Sequence, residues 1–288
     1  MAAAIPAAGV LNGPPAWALA RAPGLEQGAA AQRSERLGGG TVNEVFRVDS
    51  AAGRFVLRLD GAAWRRPGVE RARELVLHGT AAAGGLAPAL VAAAPEAQGL
   101  LIMQYLEGRI WDSSDYDDAA ALQRLGERLY ALHRLAAPAI DAFDPWRVAQ
   151  AYVRQITDAR AGAFDEPLRR LELLGSELRA AGAPRSVVHG DLWQGNVLQG
   201  AQLWLLDWEY AQVSDPLMDV ACVLAYYPGA ERHRTELAAA AGFDAHAIER
   251  RLSARVYAYR VLSWLWHLAR GEHAEPPGTG FPLARPAN

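Results

Sequence analysis

Apolar and polar positions recur in blocks that predict the elements before any motif is read. One short helix is expected around residues 17–21. Val45, Phe46 and Val48 make a strand-like run, Ser50-Ala51-Ala52-Gly53 reads as a turn, and Arg54-Phe55-Val56-Leu57-Arg58-Leu59 as a second strand. Together they predict a β-hairpin with a glycine-rich loop before it. Residues 69–83 read as a helix that stops at Gly84-Gly85, with Val69, Ala72, Leu75 and Val76 on one apolar face. Two further strands are expected at 89–93 and 100–104. Leu122, Leu125, Leu129 and Leu132 then recur at helical spacing, which predicts an amphipathic helix. Residues 146–180, 217–227 and 245–270 also read as helix. Short apolar runs at 186–188 and 203–206 read as a strand pair flanking a polar loop. The proline-rich segment 275–288 reads as a loose tail. No internal repeat is present.

This order of elements predicts an α+β chain in two lobes. A small antiparallel β-rich lobe with one helix spans 1–104, and a larger helical lobe spans 105–288. A cleft between two such lobes is a common place for a ligand.

Composition narrows the function classes. The chain has 288 residues, of which 51% are hydrophobic and 21% charged, a globular balance with enough length for a full core. The net charge of −3 argues against a general nucleic-acid binder, which needs a phosphate-neutralising excess. All 29 basic residues are arginine. Schiff-base and pyridoxal-phosphate chemistry, which require lysine, are therefore excluded, as is the Gly-Lys-Ser/Thr phosphate loop. The single cysteine, Cys222, has no internal disulfide partner and makes a cysteine zinc site untenable. The first residues lack the basic stretch of a secretory signal. No apolar run reaches the roughly 18 residues of a membrane span. The expectation is a cytoplasmic protein with no membrane or nucleic-acid partner.

The densest chemistry lies between residues 186 and 219. It reads Ser-Val-Val-His189-Gly190-Asp191-Leu-Trp-Gln-Gly195-Asn196-Val-Leu, then Leu203-Trp-Leu-Leu-Asp207-Trp208-Glu209-Tyr210, then Asp215-Pro216-Leu217-Met218-Asp219. Phosphoryl transfer needs one carboxylate to accept or orient the proton of the attacking hydroxyl. It also needs oxygen donors, here an amide and a second carboxylate, to hold Mg²⁺ against phosphate oxygens. Asp191, Asn196 and Asp207 at these spacings supply that set. Turn-forming Asp, Asn and Gly are common in any loop, but the three together between apolar strands form a much stronger signal than a lone His-Gly-Asp.

These segments resemble the aminoglycoside phosphotransferase and choline kinase superfamily. The Asp-Trp-Glu-Tyr-Ala and Ser-Asp-Pro-Leu-Met-Asp segments are most similar to its choline/ethanolamine kinase and thiamine kinase branches. The resemblance covers roughly residues 32–270. It implies a protein-kinase-like fold that uses ATP and Mg²⁺, with Asp191 as catalytic base and Asn196 and Asp207 as Mg²⁺ ligands. It further implies that His189 organises the loop backbone and that Asp219 braces the loop. Gly38, Gly39 and Gly40 stand where such proteins cover the phosphates with a backbone loop. Arg58 occupies the third-strand cation position, where its planar fork can bind phosphate oxygens bidentately. That cation pairs with a helix glutamate. Glu74 matches by its distance from Pro88, and Glu70 competes. Residues 103–108 resemble the inter-lobe hinge, where the backbone of Gln104 and Leu106 would bind adenine.

The phosphate acceptor is expected to be a small-molecule alcohol. Asp207 reaches Asp219 in 12 residues, too short for the long activation segment of a protein kinase. Choline-type relatives cage a cationic group with aromatic rings, each contact worth roughly 0.5–2 kcal/mol. Trp266 matches the second of two cage tryptophans, whereas Ser263 stands at the first. Tyr226 and Tyr227 follow Asp219 where relatives add another ring, and Glu209 completes the candidate substrate set with Tyr227 and Trp266. Core packing is the competing explanation for Trp264 and Trp266. Choline, ethanolamine and thiamine fit this logic. An aminoglycoside or sugar kinase on the same fold stays open, as does a nucleotide-binding pseudokinase.

Overall fold

A computed structural model describes residues 13–26, 31–37, 42–61, 66–156 and 162–277. After the short helix α1 (Ala16–Leu19) come three strands, β1 (Arg33–Arg36), β2 (Asn43–Ser50) and β3 (Gly53–Asp60). β2 and β3 form the predicted hairpin, in register from Asn43 opposite Asp60 to Ser50 opposite Gly53. Helix α2 (Arg71–Ala83) leads to β4 (Leu90–Ala94) and β5 (Leu100–Gln104). The five strands make one antiparallel sheet in the order β1-β2-β3-β5-β4. Alternation decides its two faces. Phe46, Val48, Leu57, Leu59, Leu100 and Ile102 are fully buried on one side together with Ala18 of α1. Arg58, between Leu57 and Leu59, points to the other side and is also buried.

Helix α2 departs from its expected packing. Its buried residues are Arg71, Glu74, Leu77, His78 and Ala81, while Val76 is 48% exposed. The face read from Val69, Ala72, Leu75 and Val76 is therefore not the inward one. The helix docks on charged and aromatic partners, Arg58 and Trp208 among them, so polarity no longer marks the solvent side.

The remainder is mostly helical. β6 (Arg109–Ile110) precedes α3 (Ala119–His133), whose leucine stripe is buried as its spacing predicts. The stretch expected as one long helix divides into α4 (Pro145–Val153) and α5 (Asp165–Arg179). Asp144 starts α4 by accepting the backbone N–H groups of Trp146 and Arg147 at 3.1 and 3.3 Å, with Pro145 in the first turn where its missing N–H costs nothing. Four short strands follow: β7 (Ser186–Val188), β8 (Val197–Gln199), β9 (Leu203–Leu205) and β10 (Gln212–Ser214). The chain then enters α6 (Leu217–Tyr226), α7 (Arg234–Ala240), the single turn α8 (Ala245–Ala247) and the long α9 (Ser253–Ala269). A π-helical turn over Ile248–Leu252 joins the last two. α6 is buried at every position from Leu217 to Ala225 and forms the spine of the main core with α3 and Tyr259 of α9.

The expected pairing of 186–188 with 203–206 does not occur. β7 pairs with β10, while β9 pairs with β8, which also pairs with β6. Apolar runs announce strands but carry no record of their partners. The consequence is two small ribbons, each contributing one end to two loops, 189–196 and 206–211. Leu206 N–H donates to the Asn196 carbonyl at 2.8 Å and ties the loops side by side. No helix among the described residues is long and apolar enough to cross a membrane.

Candidate active site

The loop after β7 is held from below. Asp219, fully buried in the first turn of α6, accepts the backbone N–H of His189 at 3.1 Å and of Gly190 at 2.9 Å. Its second oxygen also meets His133 Nε2 at 3.0 Å. Gly190 has φ 77°, and a Cβ there would lie 2.6 Å from the Tyr210 carbonyl oxygen, so glycine is required twice over. His189 donates from Nε2 to the Leu206 carbonyl at 2.8 Å and accepts the Asp191 N–H on Nδ1 at 3.3 Å. Burial lowers its pKa, which keeps it neutral and able to accept at Nδ1. Both residues thus act on the loop backbone.

Asp191 is 2% exposed. Asn196 Nδ2 donates to its carbonyl at 2.8 Å and to its Oδ2 at 3.0 Å, which turns the Asn196 amide oxygen away from Asp191. Asp207 begins the adjoining loop in a left-handed conformation, φ 57°, an outlier for a residue with a Cβ and one that marks a constrained position. Trp208 behind it is fully buried between His189, at a ring distance of 4.7 Å, and His78 of α2, at 6.2 Å. It therefore couples α2 to both loops.

Arg58 joins the two halves of the molecule. Its guanidinium meets Asp207 Oδ1 at 3.0 Å and Glu74 Oε2 at 2.8 Å. Glu70 instead lies on the surface 3.6 Å from Arg73, so the structure resolves that competition in favour of Glu74. Burial would depress the Arg58 cation, but Glu74 and Asp207 outweigh it and raise its pKa. Burial raises Asp207, and the Glu209 charge adds to it against Arg58.

Glu209 does not face a substrate pocket. It is 4% exposed and accepts from Asn43 Nδ2 at 2.9 Å, Arg66 at 2.5 Å and Arg71 at 3.4 Å. Burial alone would raise its carboxyl, yet Arg66, Arg58, Asn43 and Arg71 together hold it well below the usual carboxylate range. Arg71 also binds Glu74 and Asp60. The result is a buried charge cluster linking β2, β3, α2 and the 206–211 loop. Sequence reasoning missed Asn43, Arg66 and Arg71. For Arg71 the available signal was the polar residues on a helix face that an apolar reading assigns to solvent; Asn43 in β2 and Arg66 before α2 carried none.

A pocket opens on Asp191. Six rings line it: Phe143, Tyr152, Tyr210, Tyr226, Tyr259 and Trp266. Gly68 and Ser263 also line it, and the Tyr152 phenol donates to the Pro67 carbonyl at 3.1 Å, fixing that wall. Among the lining residues Asp191 is the one carboxylate. Trp264 is excluded, being 4% exposed in a core cluster against Phe164. Tyr227, expected here, turns away at the end of α6. Its ring stacks on Tyr116 at 3.7 Å, and its phenol oxygen accepts the Gln194 N–H. Tyr226, one residue earlier, faces the pocket instead. Gly38, Gly39 and Gly40 lie outside the described residues. Gln104 closes β5, donating its N–H to the Ala89 carbonyl at 2.9 Å, and Leu106 follows in the segment that leaves the sheet.

The donor chemistry beside Asp191 fits Mg²⁺. Asn196 offers an amide oxygen, and Asp207 a carboxylate that is one-third open to solvent yet has its charge disfavoured by its partly desolvated setting and by neighbouring carboxylates. A hard cation takes such oxygens and relieves that crowding of negative charge.

Residues 33–256 match the model of the phosphotransferase enzyme family. A thiamine kinase of Salmonella typhimurium is 30% identical over 177 residues, covering 59% of this chain and 56% of that protein. The chain thus spans little more than half the length of the curated relatives it matches. A choline/ethanolamine kinase family protein of Mesorhizobium loti superposes with a TM-score of 0.71 at 26% identity, over 89% of this chain and 86% of that one. Choline kinase LicA of Streptococcus pneumoniae does so with a TM-score of 0.69 at 19% identity, over 88% and 90%. An aminoglycoside phosphotransferase solved with ADP and hygromycin B gives 0.62 at 19% identity, over 86% and 90%. The α+β, kinase-like fold expected from the sequence is the fold these structures share.

Proposed function

The chain belongs to the phosphotransferase enzyme family, and from that premise we propose that it transfers the γ-phosphoryl group of ATP to the hydroxyl of a small cationic alcohol of the choline, ethanolamine or thiamine kind. The observation that carries this reading is the pocket of six rings with Asp191 at its wall. Aromatic faces attract a desolvated cation. A polyamine such as an aminoglycoside would call for several carboxylates, and Glu209, the carboxylate expected in the substrate set, is spent on three partners elsewhere. The names of the thiamine kinase and choline/ethanolamine kinase relatives point the same way.

In this mechanism the acceptor hydroxyl gives its proton to Asp191 as its oxygen attacks the γ-phosphorus and ADP leaves. Asn196 and Asp207 would hold Mg²⁺, which neutralises phosphate charge when bound. Arg58, fixed by Glu74, binds phosphate oxygens; Gly38, Gly39 and Gly40 cover them; and the backbone at Gln104 and Leu106 receives the adenine. The lobe up to Gln104 therefore serves the nucleotide, and the lobe after it serves catalysis and the acceptor. An ATP-consumption panel of choline, ethanolamine, thiamine, aminoglycosides and amino sugars tests the reading. Turnover of an aminoglycoside above the cationic alcohols, or of none of them, would reject it.

Substitutions at three positions probe its parts. Arg58→Ala is expected to raise the KM for ATP and lower kcat together, because the clamp acts in ground and transition states alike. Arg58→Lys should recover part of both, since charge returns without the fork. Steady-state kinetics at saturating acceptor check this, and an unchanged Arg58→Ala enzyme removes the arginine from the nucleotide site. Trp266→Leu is expected to raise the acceptor KM about 5–30-fold, the equivalent of roughly 1–2 kcal/mol, with little change in Tm. Trp264→Leu should do the reverse, destabilising by several kcal/mol as a core cavity while the KM of the folded enzyme holds. Exchange of those two outcomes would place the cage elsewhere.

A further inference from the structure

Tyr226 contacts the carboxylate of the proposed catalytic base. It is the last residue of α6, half-buried, and part of the wall of the Asp191 pocket. Its phenol donates to Asp191 Oδ1 at 3.3 Å, while Asn196 holds Oδ2 at 3.0 Å. Its ring meets that of Tyr259 edge-on, with centroids 6.5 Å apart, so the phenol is aimed by packing from behind. An alcohol that gives its proton to Asp191 must hydrogen-bond the same carboxylate.

We infer that Tyr226 guards the catalytic base: without an acceptor its phenol occupies Asp191 Oδ1 and keeps water from being activated there, and the acceptor hydroxyl displaces it. The inference rests on the reading that Asp191 takes the acceptor's proton. A phenol is a far weaker acid than a carboxylic acid, so the Tyr226 proton stays on its oxygen and the resting contact leads nowhere. At 3.3 Å the bond lies beyond the usual range for O–H donors, which suits a contact made to be exchanged. The reaction it suppresses is ATP hydrolysis. A water oxygen would bond to the γ-phosphorus, the bond from that phosphorus to the bridging oxygen of ADP would break, and the water proton would pass to Asp191 and on to solvent.

Tyr226→Phe tests this, because it keeps the ring and its contact with Tyr259. With MgATP and no acceptor, the variant is expected to hydrolyse ATP roughly tenfold faster than wild type, about the worth of one hydrogen bond to a charged group. With thiamine and choline as acceptor probes, KM for whichever is turned over should stay level or fall, since no phenol has to be displaced. The double variant Tyr226→Phe/Asp191→Asn should lose the added hydrolysis. A purely structural role would lower Tm and leave the ratio of hydrolysis to transfer unchanged, which overturns the guard. So does a single variant within about twofold of wild-type hydrolysis, or added hydrolysis that survives loss of Asp191. If wild type transfers phosphate in an Asp191-dependent way and Tyr226→Phe is unchanged, the guard alone fails. If no Asp191-dependent turnover of any kind exists, the kinase reading fails and the guard falls with it.

Discussion

Asp191→Asn is expected to cut kcat by roughly 10²–10⁴-fold while leaving nucleotide affinity nearly intact. The substitution is close to isosteric. The backbone N–H of residue 191 still reaches His189 Nδ1, and its carbonyl still accepts from Asn196, so the loop keeps its shape. What disappears is the one carboxylate lining the aromatic pocket, and an amide has no basic lone pair to offer an alcohol proton. ATP contacts proposed for Arg58 and the sheet lie on other elements and are untouched. Turnover and nucleotide Kd measured on one preparation decide the matter. A variant keeping more than about a third of kcat could not have lost its base.

The second large effect falls on a residue that touches no reactant. Asp219→Ala removes a fully buried carboxylate from three donors, the His189 and Gly190 N–H groups and His133 Nε2. Each buried donor left without a partner costs about 1–3 kcal/mol, so the expected destabilisation is several kcal/mol. The left-handed Gly190 is then released, and Asp191 follows it on the chain. Misplacement of a reacting group by about 1 Å can cost on the order of 100-fold in rate, which sets the expected fall in kcat. Asp219→Asn should be intermediate, because one oxygen still accepts while the new amide group faces a donor. Calorimetric unfolding and kcat on the three proteins check the order. An Asp219→Ala enzyme with wild-type Tm and rate would show that the loop is braced by other contacts.

What could be read from the chain divides along physical lines. Asp191, Asn196 and Asp207 were visible because their spacing between apolar runs is set by the loops themselves, and the structure brings all three to one place. The stripe of Leu122, Leu125, Leu129 and Leu132 was visible because α3 packs one apolar face on the core. Helix α2 defeated the same rule by burying Arg71, Glu74 and His78. Strand pairing was hidden because β7 and β9 each find partners that no local pattern names. Tyr226 and Tyr227 were indistinguishable as neighbours. The helix ends between them, Tyr227 takes an extended conformation at φ −125°, and the two rings part, one to the pocket and one to Tyr116. Glu209 was visible as chemistry, but its partners come from β2, α2 and the segment before α2, which sequence distance separates by more than 130 residues.

The positive half of the charge cluster under the two loops does not respond to pH. Its cations are Arg58, Arg66 and Arg71, set among Asp60, Glu74, Asp207 and Glu209. A guanidinium does not give up its proton at any pH a protein survives, and although burial works against the charge, the carboxylate and tyrosine neighbours outweigh it and raise the pKa of all three further. Only the carboxylates can titrate. Acid can therefore add protons to the cluster and unbalance it, whereas alkali takes none from its cations and only completes the ionisation of Asp207, whose carboxyl is pushed up to about 7 by burial and the Glu209 charge. A lysine at any of these three places would have opened an alkaline route to the opposite imbalance, an excess of negative charge, since buried ammonium groups lose their protons readily. The lysine-free composition noted at the outset thus amounts, at this one spot, to an interior whose positive charges are permanent.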